Sequence, residues 1–155
     1  MSKKSNYWLK RGLLVIIGIA LLGAGFAWYL IREKFSDTSI VKADYTVTAS
    51  SFIKEFEKEA GAANQKYTNK IIEVSGNVSE KEAPSDSVTN IKFIDTATGS
   101  YVIFAFQGQH MKEAQNLKQG APVAIKGACS GGHFSEILGF TAIEFKRCAL
   151  ANTAK

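Results

Sequence analysis

The side chains that most often carry enzymatic chemistry are few in this 155-residue sequence. Its two histidines, His110 and His133, are too few and too far apart to indicate a metal site, although Cys129 lies near His133. The short motifs of nucleophilic hydrolases, zinc proteases and nucleotide-binding enzymes do not occur. The sequence therefore predicts a protein that is not an enzyme and that holds neither a metal ion nor a cofactor.

Cys129 and Cys148 are the only two cysteines. A disulfide bond between them is chemically permitted if this part of the chain is exported. A plain hairpin would place the two residues toward opposite ends, whereas the Cα atoms of a disulfide lie within about 7 Å of each other. A disulfide and two buried free thiols therefore both stay open.

The positive charge of the chain is concentrated in its first 35 residues. Six lysine and arginine side chains against one glutamate account there for the whole formal net charge of +5. The remainder, 36–155, carries as many acidic as basic side chains. A neutral domain has no surplus of positive charge to attract a polyanion, so we do not expect a nucleic-acid partner.

Residues 12–31 form an uninterrupted apolar run without a charged side chain. A helix of that length covers the hydrocarbon core of a bilayer, which is about 30 Å thick. Tyr7 and Trp8 precede the run, and Trp28 and Tyr29 lie at its far end, as interfacial aromatic belts require. The run therefore predicts a transmembrane helix.

Most of the flanking lysines and arginines precede the apolar run. The more positive flank stays in the cytoplasm, so 1–11 is predicted as a cytoplasmic tail of a single-pass inner-membrane protein. The domain that follows is predicted to lie in the periplasm or outside the cell. A cleaved signal peptide is the alternative, since Gly23, Ala24 and Gly25 are small enough for cleavage. Both alternatives export the domain.

The exported part divides into a polar tether, 32–47, a folded domain, 48–150, and a short tail, 151–155. Apolar residues at helical spacing predict an amphipathic helix over about 50–64. Alternating patterns predict five strands, with a turn around Pro84 and a break at 130–132. The predicted strands are 72–78, 88–95, 101–107, 123–129 and 140–148, and a short helix is predicted over 110–118.

Three strands, a helix and two strands follow one another in the order of the OB-fold, a five-stranded Greek-key barrel. The predicted fold class is therefore mainly β with flanking helices (α+β). It is an OB barrel preceded by the amphipathic helix and the transmembrane helix.

Several short motifs resemble the tRNA_anti-like family of small bacterial OB-fold proteins, which often follow an export signal or an anchor. Ala63, Asn64, Tyr67 and Lys70 match its Ala-Asn-x-x-Tyr-x-x-Lys run. The strand Val74-Ser75-Gly76-Asn77-Val78 and the element Gly127-Ala128-Cys129 with the late Cys148 also fit that family. Leu117, Gly120 and Val123 form the L-x-x-G-x-x-V element with which OB domains leave the connecting helix and enter the fourth strand. The resemblance implies the fold and an extracytoplasmic location, but it does not imply tRNA binding.

The outward side chains of the second and third predicted strands are Asn90, Lys92, Tyr101 and Ile103. OB domains commonly bind ligands on this face. Tyr101 with Lys92 has the chemistry to stack on a ligand and neutralise it, and a packing pair is the structural alternative. We expect an anchored, non-enzymatic module that binds a protein, a glycan or another extracytoplasmic ligand. The alternative function is single-stranded nucleic-acid binding through this face.

Overall fold

A computed structural model describes residues 37–151 and, further toward the N-terminus, the helical positions Ile16, Ala20 and Gly23. Most of the predicted transmembrane helix and nearly all of the predicted C-terminal tail lie outside the described residues. Among the residues that are described, no helix is long and apolar enough to cross a membrane. The anchor therefore stays a prediction. The chain divides into two units, 1–35 and 36–155, and the second unit is described below.

Between residues 37 and 151 the chain forms seven β-strands, three α-helices and one 3-10 turn. The strands are β1 Tyr45–Thr48, β2 Ile71–Asn77, β3 Glu80–Ser85, β4 Val88–Ile94, β5 Tyr101–Gln107, β6 Pro122–Ser135 and β7 Phe140–Leu150. The helices are α1 Ala49–Lys58, α2 Ala60–Tyr67 and α3 Met111–Asn116, and the turn Gly108–His110 precedes α3.

The strands form one mixed sheet in the order β1-β2-β6-β7-β5-β4-β3. Strands β5 and β7 are parallel, as are β1 and β2, and the other neighbours are antiparallel. β2 and β3 lie near opposite ends of this order, yet only two residues separate them in the chain. They are halves of one bent strand that pairs with β6 and then with β4, so the sheet curls back on itself as an OB-like barrel.

The fold is mainly β with a few helices, as predicted, but the sheet has seven strands rather than five. One additional strand arises because the first barrel strand changes partner. The amide of Val78 donates to the carbonyl of Ala121 at 3.1 Å, beside β6, and the amide of Ser79 donates to the carbonyl of Lys92 at 2.9 Å, on β4. The predicted turn over 81–87 is wrong for 80–85, which is strand β3. Pro84 is tolerated there beside a register shift of the β3–β4 ladder.

The other additional strand, β1, lies in the predicted tether, and the described part of that tether is fastened to the barrel. The ammonium of Lys126 donates to the carbonyls of Ser39 and Val41 at 3.2 and 3.0 Å. Asp44 and Ile71 form two hydrogen bonds. The amide of Asp44 donates to the carbonyl of Ile71 at 2.7 Å, and the amide of Ile71 donates to the carboxylate of Asp44 at 2.9 Å. From residue 37 onward the segment is therefore structured, because backbone groups that the sequence pattern leaves unpaired find partners on β2 and β6.

The predicted amphipathic helix is two helices in the structure. Helix α1 ends at Glu59, whose φ of −157° and ψ of 87° interrupt the helical path, and α2 starts directly afterwards. The apolar side of α1 covers one end of the barrel. Phe52 contacts Phe145 of β7 and Tyr67 of α2, with ring centroids 5.8 and 4.9 Å apart. The break lets both helices place aromatic side chains over the same barrel end.

Strand β6 is longer than predicted because it continues through the glycines at which we expected it to end. The ladder with β7 shifts register between Cys129 and Gly131, and Gly131 has a φ of +109°. A Cβ atom on Gly132 would lie 2.7 Å from the Phe56 ring and 2.9 Å from Ile143. The glycines therefore form a bulge that lets α1 approach the sheet, and they do not end the strand.

Two glycine-to-alanine substitutions should have opposite effects on stability. Gly132→Ala is expected to lower the free energy of unfolding by about 1–3 kcal/mol because the new methyl group overlaps Phe56 and Ile143. Gly61→Ala, in exposed α2 with nothing near its Cβ position, should be neutral or raise it by about 0.4–1 kcal/mol. Urea denaturation of both variants measures the difference. Equal stabilities would contradict the close approach at Gly132.

Candidate functional site

The four predicted ligand-binding residues lie on one outward face of β4 and β5. Lys92 is directly opposite Ile103 in the ladder, Tyr101 is opposite Ile94, and Asn90 is opposite Ala105. All four predicted residues are half-buried, and they alternate with fully buried neighbours such as Phe93 and Phe104. The structure therefore brings the predicted set together on one surface, hereafter the barrel face.

Two glutamates of β3 complete the barrel face. Lys92 lies opposite Glu80 in the β3–β4 ladder, and Glu82 lies opposite Asn90. The Lys92 ammonium is 2.6 Å from a carboxylate oxygen of Glu82 and 3.4 Å from one of Glu80. The hydrogen bond to Glu82 is the main reason that the pKa of Lys92 is raised. Neither glutamate was predicted on this face, because Glu82 lies in the predicted turn and Glu80 lies directly before it.

The electrostatic consequence is that the cation of the barrel face is already neutralised. Lys92 is held by two carboxylates, and Glu144 of β7 lies exposed opposite Ile103 in the next ladder. With the exposed Lys146 two residues further along β7, a phosphate placed here would meet three carboxylates and two ammonium groups. Polyanion binding depends on unpaired lysines and arginines that release counterions, so this face does not favour it.

Tyr101 is packed on both sides by side chains of the protein itself. Its ring centroid is 5.5 Å from the Lys92 ammonium and 5.5 Å from the Phe140 ring, with an interplanar angle of 48°. Cation–π and aromatic contacts of this kind contribute about 0.5–1.5 kcal/mol each. Tyr101 is therefore a half-buried packing residue with one accessible edge.

The residues that resemble a family motif dock the helices onto the barrel. The side-chain amide of Asn64 donates to the carbonyl of Gly132 at 2.7 Å and accepts from the amide of Gly132 at 2.8 Å. Tyr67 is buried, and its hydroxyl donates to Glu55 at 2.7 Å. The carbonyl of Lys70 accepts the amide of Cys129 at 3.0 Å. The motif residues therefore hold the helices on the barrel, and none of these hydrogen bonds is directed at a ligand site.

Both cysteines are free and buried in the structure. Cys129 lies opposite Phe145 in the β6–β7 ladder, whereas the sulfur of Cys148 packs at the Cα of Gly127, 2.8 Å from where a Cβ would stand. The structure therefore has two buried thiols that are not bonded to each other and that pack against different neighbours. Burial raises the pKa of the Cys129 thiol to about 11 and that of Cys148 well above its usual value.

The two histidines occupy different environments. His133 is exposed on β6. His110 is 2.8 Å from the Asp37 carboxylate through Nε2 and 3.3 Å from Glu113 through Nδ1. Hydrogen bonds from Ser39 and then from His110 lower the pKa of Asp37 to about 2. His110 therefore fastens the segment that precedes β1.

Within residues 37–151 no group of three or more His, Cys, Asp and Glu side chains is placed to hold a metal ion. A cleft of about 410 Å³ lies between the start of α1 and the β4–β5 loop. Its wall includes the polar residues Thr48, Ser50, Ser75, Asn77, Ser79, Asp95 and Thr96. Neither a histidine nor a cysteine lines it, so none of its hydroxyls is paired with an imidazole base.

Barrel topology and a half-buried β4–β5 face define a small OB-like domain. The model of the tRNA_anti-like family matches residues 1–138, and the chain belongs to that family. The family resemblance stated from the sequence is confirmed.

Among solved structures the chain is similar to a lipoprotein from Klebsiella pneumoniae subsp. pneumoniae named as a candidate nucleic-acid-binding protein. The identity is 15%, the match covers 68% of this chain and 91% of that chain, and the TM-score is 0.52. A candidate aspartyl-tRNA synthetase from Leishmania major is 8% identical over 74% of this chain and 22% of that chain, with a TM-score of 0.42. No curated protein sequence matches the chain. The likeness to the lipoprotein supports the fold alone.

The burial of the two thiols predicts their reactivity. At about pH 8 neither Cys129 nor Cys148 should react measurably with a thiol reagent in the native protein, because the thiolate is the nucleophile and both pKa values are raised. After unfolding without reductant, two thiols should titrate. Rapid labelling of the native protein, or no free thiol in the unfolded protein, would contradict the structure.

Proposed function

We propose that this chain is a single-pass, membrane-anchored and non-enzymatic binding module whose OB-like domain works outside the cytoplasm. The uncharged run 12–31 and its basic N-terminal flank support the anchor and its orientation. The family match begins at residue 1 and so includes this run.

One observation decides which ligands the barrel face suits. The ammonium of Lys92 is ion-paired with Glu80 and Glu82, and β7 beside it exposes Glu144 and Lys146, which makes three carboxylates against two ammonium groups. Such a face favours a neutral or basic ligand, because an anionic one would lose hydration without gaining a cationic partner. The ligand of the module is therefore a protein or another non-anionic molecule.

The side-chain chemistry supports a binding role over catalysis. Both thiols are buried with raised pKa values. The ring nitrogens of His110 form hydrogen bonds with Asp37 and Glu113. Neither bond joins the ring to a hydroxyl or a thiol. A nucleophile needs an adjacent base for activation. The Ser100 hydroxyl donates to the Glu57 carboxylate at 2.7 Å, but this serine is buried and also accepts the amide of Thr141, so the contact serves packing.

Membrane topology is the first test of this proposal. A C-terminal alkaline phosphatase fusion to the full chain should be active in bacterial cells, and a green fluorescent protein fusion to the same site should be dark in an exported position. A fusion that lacks residues 1–35 should reverse both results and serves as the control. The retained N-terminal segment should be visible in the mass of the membrane-bound product. Phosphatase activity lost in the full-length fusion would overturn the extracytoplasmic location.

Single-stranded nucleic-acid binding is the alternative function, and one observation favours it. Lys92 lies 5.5 Å from the ring of Tyr101, so a cation and an aromatic platform stand side by side on the barrel face. The ion pairs of Lys92 with Glu80 and Glu82 argue against this alternative.

Releasing Lys92 tests which function is right. The full chain should show no salt-dependent binding of a fluorescent oligo-dT by anisotropy, and Glu80→Gln with Glu82→Gln should raise its affinity because the ammonium is then unpaired. Glu59→Gln with Glu73→Gln changes the net charge equally, away from the face, and is the matched control. Tight, salt-dependent binding by the unaltered chain that Lys92→Gln abolishes would establish the alternative instead.

A further inference from the structure

The tip of the β6–β7 hairpin exposes three large apolar side chains to water. Ile137 is 95% exposed, Leu138 66% and Phe134 56%. In the part of the chain from residue 37 to 151, Ile40 is the only other large hydrophobic residue with comparable exposure. Clustered apolar exposure of this kind marks an interaction surface, whereas single exposed residues need no explanation. These three residues are called the apolar tip below.

The apolar tip is exposed because the hairpin extends beyond the core. Gly132 faces inward against Phe56 and Ile143. Phe134 lies two residues further along the same face of β6 and pairs with Thr141 on β7. No helix covers the sheet at that point. The Phe134 side chain therefore points to the core side of the sheet but is left largely in solvent.

The hairpin holds the apolar tip in a fixed position. The amide of Gly139 donates to the carbonyl of Ser135 at 2.8 Å, and the amide of Leu138 donates to the Ser135 hydroxyl at 3.3 Å. Gly139 supplies the positive φ of +72° that the turn requires. A preordered turn pays little conformational entropy on binding, which favours its use as a docking element.

The charge around the apolar tip limits what can cover it. From residue 130 to residue 143 the sequence holds one carboxylate, Glu136, and no lysine or arginine. A bilayer surface with anionic lipids would repel Glu136 and find no lysine or arginine between residues 130 and 143 to attract it. A symmetric tip-to-tip contact with a second copy would place the two Glu136 side chains together. An apolar pocket with a basic rim in another protein satisfies both the three apolar side chains and the carboxylate.

We propose that the apolar tip docks into an apolar, basic-rimmed pocket of a different protein, with Phe134, Ile137 and Leu138 as the buried anchors and Glu136 paired at the rim. This inference rests on the proposed binding function and adds a partner class and a surface distinct from the barrel face. Large apolar side chains at the centre of an interface carry most of its affinity, and the pocket therefore loses affinity when they are truncated.

Site-specific photo-crosslinking in cells tests the surface. Benzoylphenylalanine replaces Ile137, Ile40 or Asn90 in the full-length chain, and the adducts are identified by mass spectrometry after irradiation. The expected result is a protein adduct from position 137 that is absent from position 40. An adduct with lipid, an adduct with a second copy of the chain, or equal capture at positions 137 and 40 overturns the inference. A protein adduct from position 90 alone also overturns it while leaving the proposed binding function intact.

The protein captured at position 137 is then purified, and its affinity for the full chain in detergent micelles is measured by calorimetry. Ile137→Ser with Leu138→Ser should weaken binding at least about tenfold, as expected for interface anchors. Ile40→Ser, an equally exposed change elsewhere, should leave the affinity within about twofold. Glu136→Lys should weaken binding more at low salt than at high salt, because the lysine would repel the basic rim and salt screens that repulsion. Unchanged affinity in the double variant would overturn the proposal.

Discussion

The structure depends on the pair of hydrogen bonds between the Asn64 side chain and the backbone of Gly132. One amide satisfies both the donor and the acceptor of a strand residue at a bulge, where no neighbouring strand reaches them. This requires a glycine at each of two successive positions, since a Cβ on Gly131 would lie 2.7 Å from Asn64 and one on Gly132 would overlap Phe56. The bond holds the helix pair over the barrel end and lets β6 extend into the projecting hairpin.

The barrel face shows how local charge changes what a shared fold offers to a ligand. An OB barrel offers an aromatic and a cation at adjacent strand positions, and here Tyr101 and Lys92 occupy them. Glu80 and Glu82 take up the ammonium from the neighbouring strand. Fold alone therefore does not decide function. The pairing of one lysine with two glutamates describes the charge of this face in a way that the net charge of the domain does not.

Alternating patterns predicted the strands that have one face in the core and the other face in water. Strands β4 and β5 bury one face, so period-two alternation located them to within a residue. Strand β3 escaped prediction because every one of its residues is exposed, so hydrophobicity does not mark it. The helix break at Glu59 also escaped, since no glycine or proline signals it. The break in the helix allows α1 and α2 to pack on the same end of the barrel.

The sequence by itself determined the family, the mainly β class, five of the seven strands between residues 37 and 151, and which side chains of β4 and β5 share a face. These follow from periodicity and short motifs, which are local. Only the tertiary structure decided that Lys92 is neutralised, that the two thiols are apart and buried, and that the apolar tip stands in solvent. Each of these depends on which segments become neighbours after the barrel closes, and the spacing of residues along the chain does not contain that information.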